Sequence, residues 1–138
     1  MIQKGEKAVY RLVLKDSNLE SKKIDADKVK KHQNITHKIG DAFFFISEKQ
    51  NLRREKVVIV ETKGEAFAHA MQQLTACHAM LKSLNISMEG RIVSSKVPAS
   101  VIIDREYQKL QKLYRGQVKR RSQQMTETFV SFDKSTVE

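Results

Sequence analysis

The sequence predicts an α/β fold in which a mixed central β-sheet is flanked by helices, and three consecutive segments support this prediction. Residues 57–60 (VVIV) form an unbroken β-branched run, which is typical of a strand buried on both faces. Residues 65–84 repeat apolar side chains at alternating spacings of three and four, which indicates a helix with one apolar face. Residues 91–97 (RIVSSKV) are again typical of a strand. A strand–helix–strand crossover places its two strands parallel.

The first half of the chain adds three strand candidates: residues 8–14, 22–24 and 41–46. A polar turn is expected at 15–20, and a loop or weak helix after residue 24. The short loop between residue 46 and Lys56 favours an antiparallel hairpin formed by the strands on either side of it.

The last third of the chain begins with a second helix, predicted over residues 100–114 from its three/four apolar rhythm. Gly116 suits the C′ position that ends such a helix. We expect an edge strand at 117–123 and a loosely held tail over about 125–138. The length of 138 residues predicts one domain, spanning 1–138.

The charge is strongly one-sided. There are 26 Lys and Arg residues against 16 Asp and Glu, so the net charge is +10 and the pI is near 9.8. Such a balance favours a polyanionic partner, with nucleic acid ahead of an acidic protein or a membrane surface; a generally soluble cationic surface is the alternative. The expected nucleic-acid-binding residues lie in the second helix and just around it: Lys96, Arg105, Lys109, Lys112, Arg115, Lys119, Arg120 and Arg121.

Several classes of protein are disfavoured. The single cysteine, Cys77, lies in the apolar helical pattern and cannot form an internal disulfide, and the four histidines lack zinc-ligand spacing. The sequence has no Gly-rich phosphate-binding loop, which argues against a nucleotide-dependent enzyme. Without an apolar leader or a run long enough to span a bilayer, we expect a cytoplasmic protein that does not enter the membrane.

The predicted buried strand at 57–60 is followed by charged residues. Glu61 and Lys63 are two residues apart, so their side chains point to the same face. Burying a carboxylate and an ammonium is costly without partners, which leaves two explanations: a structural ion pair or a reactive centre. In the simplest hairpin register Asp41 lies opposite Glu61, whereas a slip of one residue would turn Asp41 to the other face.

Asp41, the triplet Glu61-Thr62-Lys63 and the following helix with its AMQQL stretch (70–74) resemble the PD-(D/E)xK, or restriction endonuclease-like, nuclease superfamily. That family has an α-β-β-β-α-β core, with an acidic residue on one strand and E-x-K or D-x-K ending the next. The resemblance implies a metal-dependent phosphodiesterase that cleaves DNA or RNA. It also implies that Gln73, with Gln72 as its rival, completes the site.

The resemblance assigns the remaining roles. Asp41, Glu61 and the Thr62 carbonyl would hold Mg²⁺ or Mn²⁺, since both cations prefer oxygen ligands. Lys63 would orient the attacking water or stabilise the developing charge on phosphorus. Gly40 stands where the family has proline. This departure motivates an alternative, a non-catalytic module with the same fold that binds nucleic acid or a protein partner. Many nucleases of this fold form dimers to cut two strands, so a homodimer is a further option.

Overall fold

The structure is a computed structural model that describes residues 1–5, 8–26, 28, 41–51, 54–63, 67–95 and 100–138. Those residues form nine strands and two α-helices. The strands are β1 (Ile2–Lys4), β2 (Val9–Leu14), β3 (Leu19–Asp25), β4 (Ala42–Glu48), β5 (Glu55–Lys63), β6 (Ser87–Ser94), β7 (Val118–Ser122), β8 (Gln124–Ser131) and β9 (Lys134–Val137). The helices are α1 (Phe67–Leu81), extended by a 3₁₀ turn at Lys82–Leu84, and α2 (Val101–Leu113).

The central sheet has five strands in the order β3-β4-β5-β6-β7. The first three are antiparallel neighbours, whereas β5, β6 and β7 run parallel, so the sheet is mixed as predicted. The predicted hairpin and the predicted parallel crossover through α1 are both confirmed. The predicted edge strand is also confirmed as β7, which lies at one border of the sheet.

The hairpin register is fixed by the pairing of Ala42 with Val60 and of Phe44 with Val58. β5 carries the most buried run of the chain, because Val57, Val58, Ile59 and Val60 are all completely buried. Each of these side chains contributes about 1.5–3 kcal/mol through burial of apolar surface. The run therefore contributes to the hydrophobic core on both faces of the sheet.

The expectation of a flexible tail over 125–138 is wrong. β8 and β9 pair antiparallel and join β1 and β2 in a second sheet of order β1-β2-β8-β9. Met125, Glu127 and Phe129 alternate along β8, and all three are fully buried. This alternation of period two buries one face of β8, which ties the segment to the core.

The predicted mixed sheet flanked by helices is confirmed in part, because the two described helices both lie on the same side of the central sheet. Both helices pack on one face, where Phe43 and Ile59 of the sheet meet Leu74 of α1 and Leu110 of α2. The second sheet covers the other face with Tyr10, Leu12, Met125 and Phe129, among others. The molecule therefore has three layers: helices, the central sheet and a second mixed sheet.

The end of α2 differs by one residue from the prediction. Arg115, not Gly116, takes the C′ position with φ 56°, and Gly116 follows with φ 81°. The Gly116 N–H donates to the Gln111 carbonyl at 2.7 Å, and the Arg115 N–H donates to the Lys112 carbonyl at 3.2 Å. These two bonds are the Schellman pattern, which satisfies carbonyls that the last helical turn leaves open.

Candidate active site at the edge of the central sheet

The predicted catalytic residues lie at one edge of the central sheet, by which we mean the side where β5, β6 and β7 end and β4 begins. β5, β6 and β7 are parallel, and their C-terminal residues Lys63, Ser94 and Ser122 are paired in register. β4 runs antiparallel to β5, so its first residue, Ala42, lies at this same edge. The topology therefore brings the start of β4 together with the end of β5.

Glu61 lies near the end of β5, the middle strand of the central sheet. Its side chain is completely buried on the helix-covered face of the sheet. Gln73 of α1 is also buried, and when its amide nitrogen faces the carboxylate, that nitrogen lies 2.6 Å from Oε1 and 2.8 Å from Oε2. Gln72, by contrast, is exposed. Of the two candidates, only Gln73 lies on the side of α1 that faces the sheet and Glu61.

Asp41 lies one residue beyond the last hairpin pair, and continuing the register places it opposite Glu61. Its backbone N–H donates to the Val60 carbonyl at 3.1 Å. Its Oδ2 accepts two hydrogen bonds from Thr62, one from the backbone N–H at 2.8 Å and one from the hydroxyl at 2.9 Å. These two bonds hold one carboxylate oxygen in place, and within the described part of the chain no group donates to Oδ1.

Gly5, which follows β1, packs closely against Thr62. A Cβ placed on Gly5 would lie 2.7 Å from the Thr62 carbonyl oxygen, so only glycine permits this approach. Lys63 ends β5 with its backbone paired to Ser94. Its side chain lies outside the described part of the structure, and its predicted role stays a prediction.

The predicted metal ligands are all oxygen donors, the kind that Mg²⁺ and Mn²⁺ prefer. The structure places Asp41 and Glu61 on adjacent strands, but the Asp41 carboxylate is bonded to Thr62, whose side chain points to the face of β5 opposite that of Glu61. Among the described residues, no three or more His, Cys, Asp or Glu side chains gather in one place.

The predicted nucleic-acid-binding residues divide into three groups. Arg105, Lys109 and Lys112 lie on α2, and Arg115 follows it; all four are exposed. Lys109 pairs with Glu106 at 3.2 Å, a surface pair of the kind that contributes little to stability. Lys96 lies outside the described residues.

The third group, on β7, does not form one basic surface, because successive side chains of a strand point to opposite faces. Lys119 reaches Ser135 at 3.0 Å, and Arg121 donates to the Val137 carbonyl at 3.0 Å; both contacts lie on the side of the second sheet. Arg120 points to the helices instead, with its guanidinium 4.2 Å from the centre of the Tyr107 ring.

A buried charge cluster between the two sheets was not predicted from the sequence. Arg91 of β6 is completely buried and uses all five of its N–H donors, on Glu127, Glu89 and the Gly90 and Gln117 carbonyls. We call Arg91, Glu127, Glu89, Lys56 and Tyr10 the inter-sheet charge cluster. Their positions are scattered along the chain, and only the (i, i+2) spacing of Glu89 and Arg91 on one strand face hints at a pair.

The electrostatics of the cluster are dominated by one carboxylate. Burial opposes ionisation of Glu127, but the hydrogen bonds and charge of Arg91 outweigh it and lower its pKa from 4.5 to about 2. Tyr10 donates to Glu127 Oε1 at 2.7 Å, and burial together with that carboxylate raises the pKa of Tyr10 well above its usual range. Lys56 completes the cluster with a 2.6 Å contact to Glu89. The cluster is therefore charged but internally satisfied, which is the pattern of a structural network.

Comparison with protein families, with curated proteins and with solved structures found no match to this chain. Neither described helix is long and apolar enough to cross a membrane.

Proposed function

We propose that this protein is a metal-dependent phosphodiesterase that cleaves DNA or RNA at the edge formed by Asp41 and Glu61. One observation carries the proposal: a completely buried glutamate near the end of the central strand lies within hydrogen-bond distance of the Gln73 amide and across the hairpin from an aspartate. A buried carboxylate is costly unless it has a purpose or a partner, and it is often found at reactive sites.

The order of elements supports the proposal that the core is restriction endonuclease-like. Three antiparallel strands, β3, β4 and β5, are followed by α1 and then by β6, which lies parallel to and beside β5. This order is similar to the β-β-β-α-β part of that family's core. The described residues ahead of β3 form strands β1 and β2 in the place where the family has its first helix.

The proposed roles are those that the resemblance implies, and the contacts of Gln73 and Thr62 support two of them. Asp41, Glu61 and the Thr62 carbonyl would hold Mg²⁺ or Mn²⁺, which when bound activates water and offsets charge on the attacked phosphate. Gln73 fixes the orientation of the Glu61 carboxylate, and Thr62 fixes that of Asp41. Lys63 would donate to the attacking water or to a phosphate oxygen.

The test is a cleavage assay across single- and double-stranded DNA and RNA with Mg²⁺ and Mn²⁺. We expect Glu61→Gln, Asp41→Asn and Lys63→Ala each to reduce the rate at least about 100-fold, the usual effect of losing one group that stabilises a transition state. Glu55→Gln is the matched control, because Glu55 is an exposed carboxylate at the other end of the same strand. Full activity in the Glu61 and Lys63 variants would refute the proposal.

A second candidate is a non-catalytic module of the same fold that binds nucleic acid or a protein partner. It is favoured by the complete burial of Glu61 and by the Gln73 amide, which lies on both of its carboxylate oxygens. Calorimetry with Mn²⁺ separates the two candidates. Binding that disappears in Asp41→Asn supports the enzyme, whereas salt-sensitive nucleic-acid affinity without Mn²⁺ binding supports the module. The homodimer and the cytoplasmic location stay predictions.

A further inference from the structure

Arg120 lies in the same cross-strand row as Glu61. Glu61 pairs with Ile92 of β6, and Ile92 pairs with Arg120 of β7. Paired residues of neighbouring strands share a face, so all three point toward the helices. The two ends of the row are separated by two strand spacings, about 9–10 Å. The Arg120 side chain is therefore within reach of a molecule bound at the Asp41–Glu61 edge.

Aromatic rings hold the Arg120 side chain in place. Its guanidinium lies 4.2 Å from the centre of the Tyr107 ring and 5.7 Å from that of Phe67. Phe67 is the first residue of α1, so the guanidinium sits near the start of that helix, close to the candidate site. Stacking on a ring occupies the face of the guanidinium and leaves its in-plane N–H donors available, which suits bidentate binding of an oxyanion.

Those donors are largely unused. Nη2 lies 4.0 Å from Asp104 Oδ1, too far for a hydrogen bond, and the Asp104 side chain is exposed. Nη1 is buried and has no hydrogen-bond partner in the described structure. Its neighbours on β7, Lys119 and Arg121, both have partners. Because the Arg120 side chain as a whole is 32% exposed, an oxyanion would approach it from its open part rather than at Nη1.

We propose that Arg120 binds a phosphodiester group of the nucleic acid beside the Asp41–Glu61 edge. This inference rests on the proposed function and names one residue, rather than the whole basic surface, as the anchor of the substrate strand. The predicted basic residues on α2 are exposed, and they act only through general attraction to the polyanion.

The experiment measures binding of a short fluorescein-labelled oligodeoxynucleotide by anisotropy, without divalent metal and at several salt concentrations. We expect Arg120→Met to weaken binding by about tenfold or more, as loss of a charge-assisted bidentate contact does. The salt dependence should fall by about one released ion. Arg120→Lys should be intermediate, because lysine keeps the charge but not the fork. Arg11→Met, on the exposed side of β2, is the control for a lost charge.

A second variant avoids any question about folding. Asp104→Asn removes the carboxylate that the described structure places nearest the Arg120 guanidinium and should strengthen binding more than Glu106→Gln, which removes an exposed negative charge from the same helix. Equal affinities for Arg120→Met and Arg11→Met, or equal effects of the Asp104 and Glu106 variants, would overturn the assignment.

The two proposals fail separately. If the protein binds through Arg120 but does not cleave, the inference holds and the non-catalytic module replaces the enzyme. If it cleaves while Arg120→Met leaves KM and affinity unchanged, the enzyme holds and the inference is refuted.

Discussion

Replacing Glu127 with glutamine should lower the free energy of unfolding by about 3–5 kcal/mol, because the change leaves a buried charge without its main partner. Arg91 donates to Glu127 from Nε and from Nη2, both at 2.8 Å, and both side chains are completely buried. After the substitution Arg91 keeps Glu89 as its only carboxylate, and Glu89 already binds Lys56.

The magnitude is large for a protein of this size. Total stabilities of single domains are about 5–15 kcal/mol, so this one change would remove a substantial fraction. Replacing both partners with apolar residues, Arg91→Met with Glu127→Leu, should cost far less or even stabilise the fold. The contrast between the single and the double variant isolates the cost of an unpaired buried charge from the loss of the pair itself.

The assay is urea unfolding followed by circular dichroism, with a double-mutant cycle over the two positions. Arg54→Met is the control, because Arg54 forms ion pairs with Glu48 and Asp133 at the surface, and such pairs contribute about 0–1 kcal/mol. A loss below about 1 kcal/mol in Glu127→Gln, comparable to the surface control, would refute the reasoning.

The same carboxylate sets a pH dependence. The pKa of Glu127 is lowered in the folded state, so its ionised form favours folding above the unfolded pKa of 4.5. That contribution is lost as the pH falls from about 4.5 through about 2, and the shift corresponds to about 3 kcal/mol. Unfolding free energies measured across this range should fall steeply for the wild type and less for the apolar double variant. Parallel curves would contradict this origin.

Three further predictions concern other parts of the molecule. Gln73→Ala should lower the free energy of unfolding by about 1–3 kcal/mol, because it removes an amide donor from the buried Glu61, whereas the exposed Gln72→Ala should have little effect; chemical denaturation compares the two. Deleting residues 134–138 should lower the melting temperature by several degrees, since β9 leaves the second sheet. The pKa of His78 should lie below 6.5, because burial disfavours the charged imidazole, and an NMR titration measures it directly.

Each of these has a clear contrary result. Equal stabilities of the Gln73 and Gln72 variants would mean that the amide contributes nothing to holding Glu61. An unchanged melting temperature after the C-terminal deletion would mean that residues 134–138 do not stabilise the second sheet. A His78 midpoint at or above 6.5 would show that burial does not dominate at that site.

Local patterns were sufficient for much of the central sheet. The β-branched run at 57–60, the short loop before it and the apolar stripe of α1 together predicted a hairpin followed by a parallel crossover, and the structure has both. The register with Asp41 opposite Glu61 was the simplest of those considered, with a slip of one residue left open, and the pairing of Ala42 with Val60 agrees with it. These features were predictable because each depends on residues close in sequence, whose spacing fixes strand and helix faces.

The sequence by itself thus determined the strands and the helix that carry the candidate site, since periodicity and turn chemistry are local properties. Only the tertiary structure decided that Gln73 rather than Gln72 meets Glu61, that β8 and β9 build a second sheet, and that Arg91 is neutralised by Glu127, 36 residues away. The physical reason is the same in each case. Burial and charge pairing depend on which distant segment covers a face, and no spacing within one segment specifies that partner.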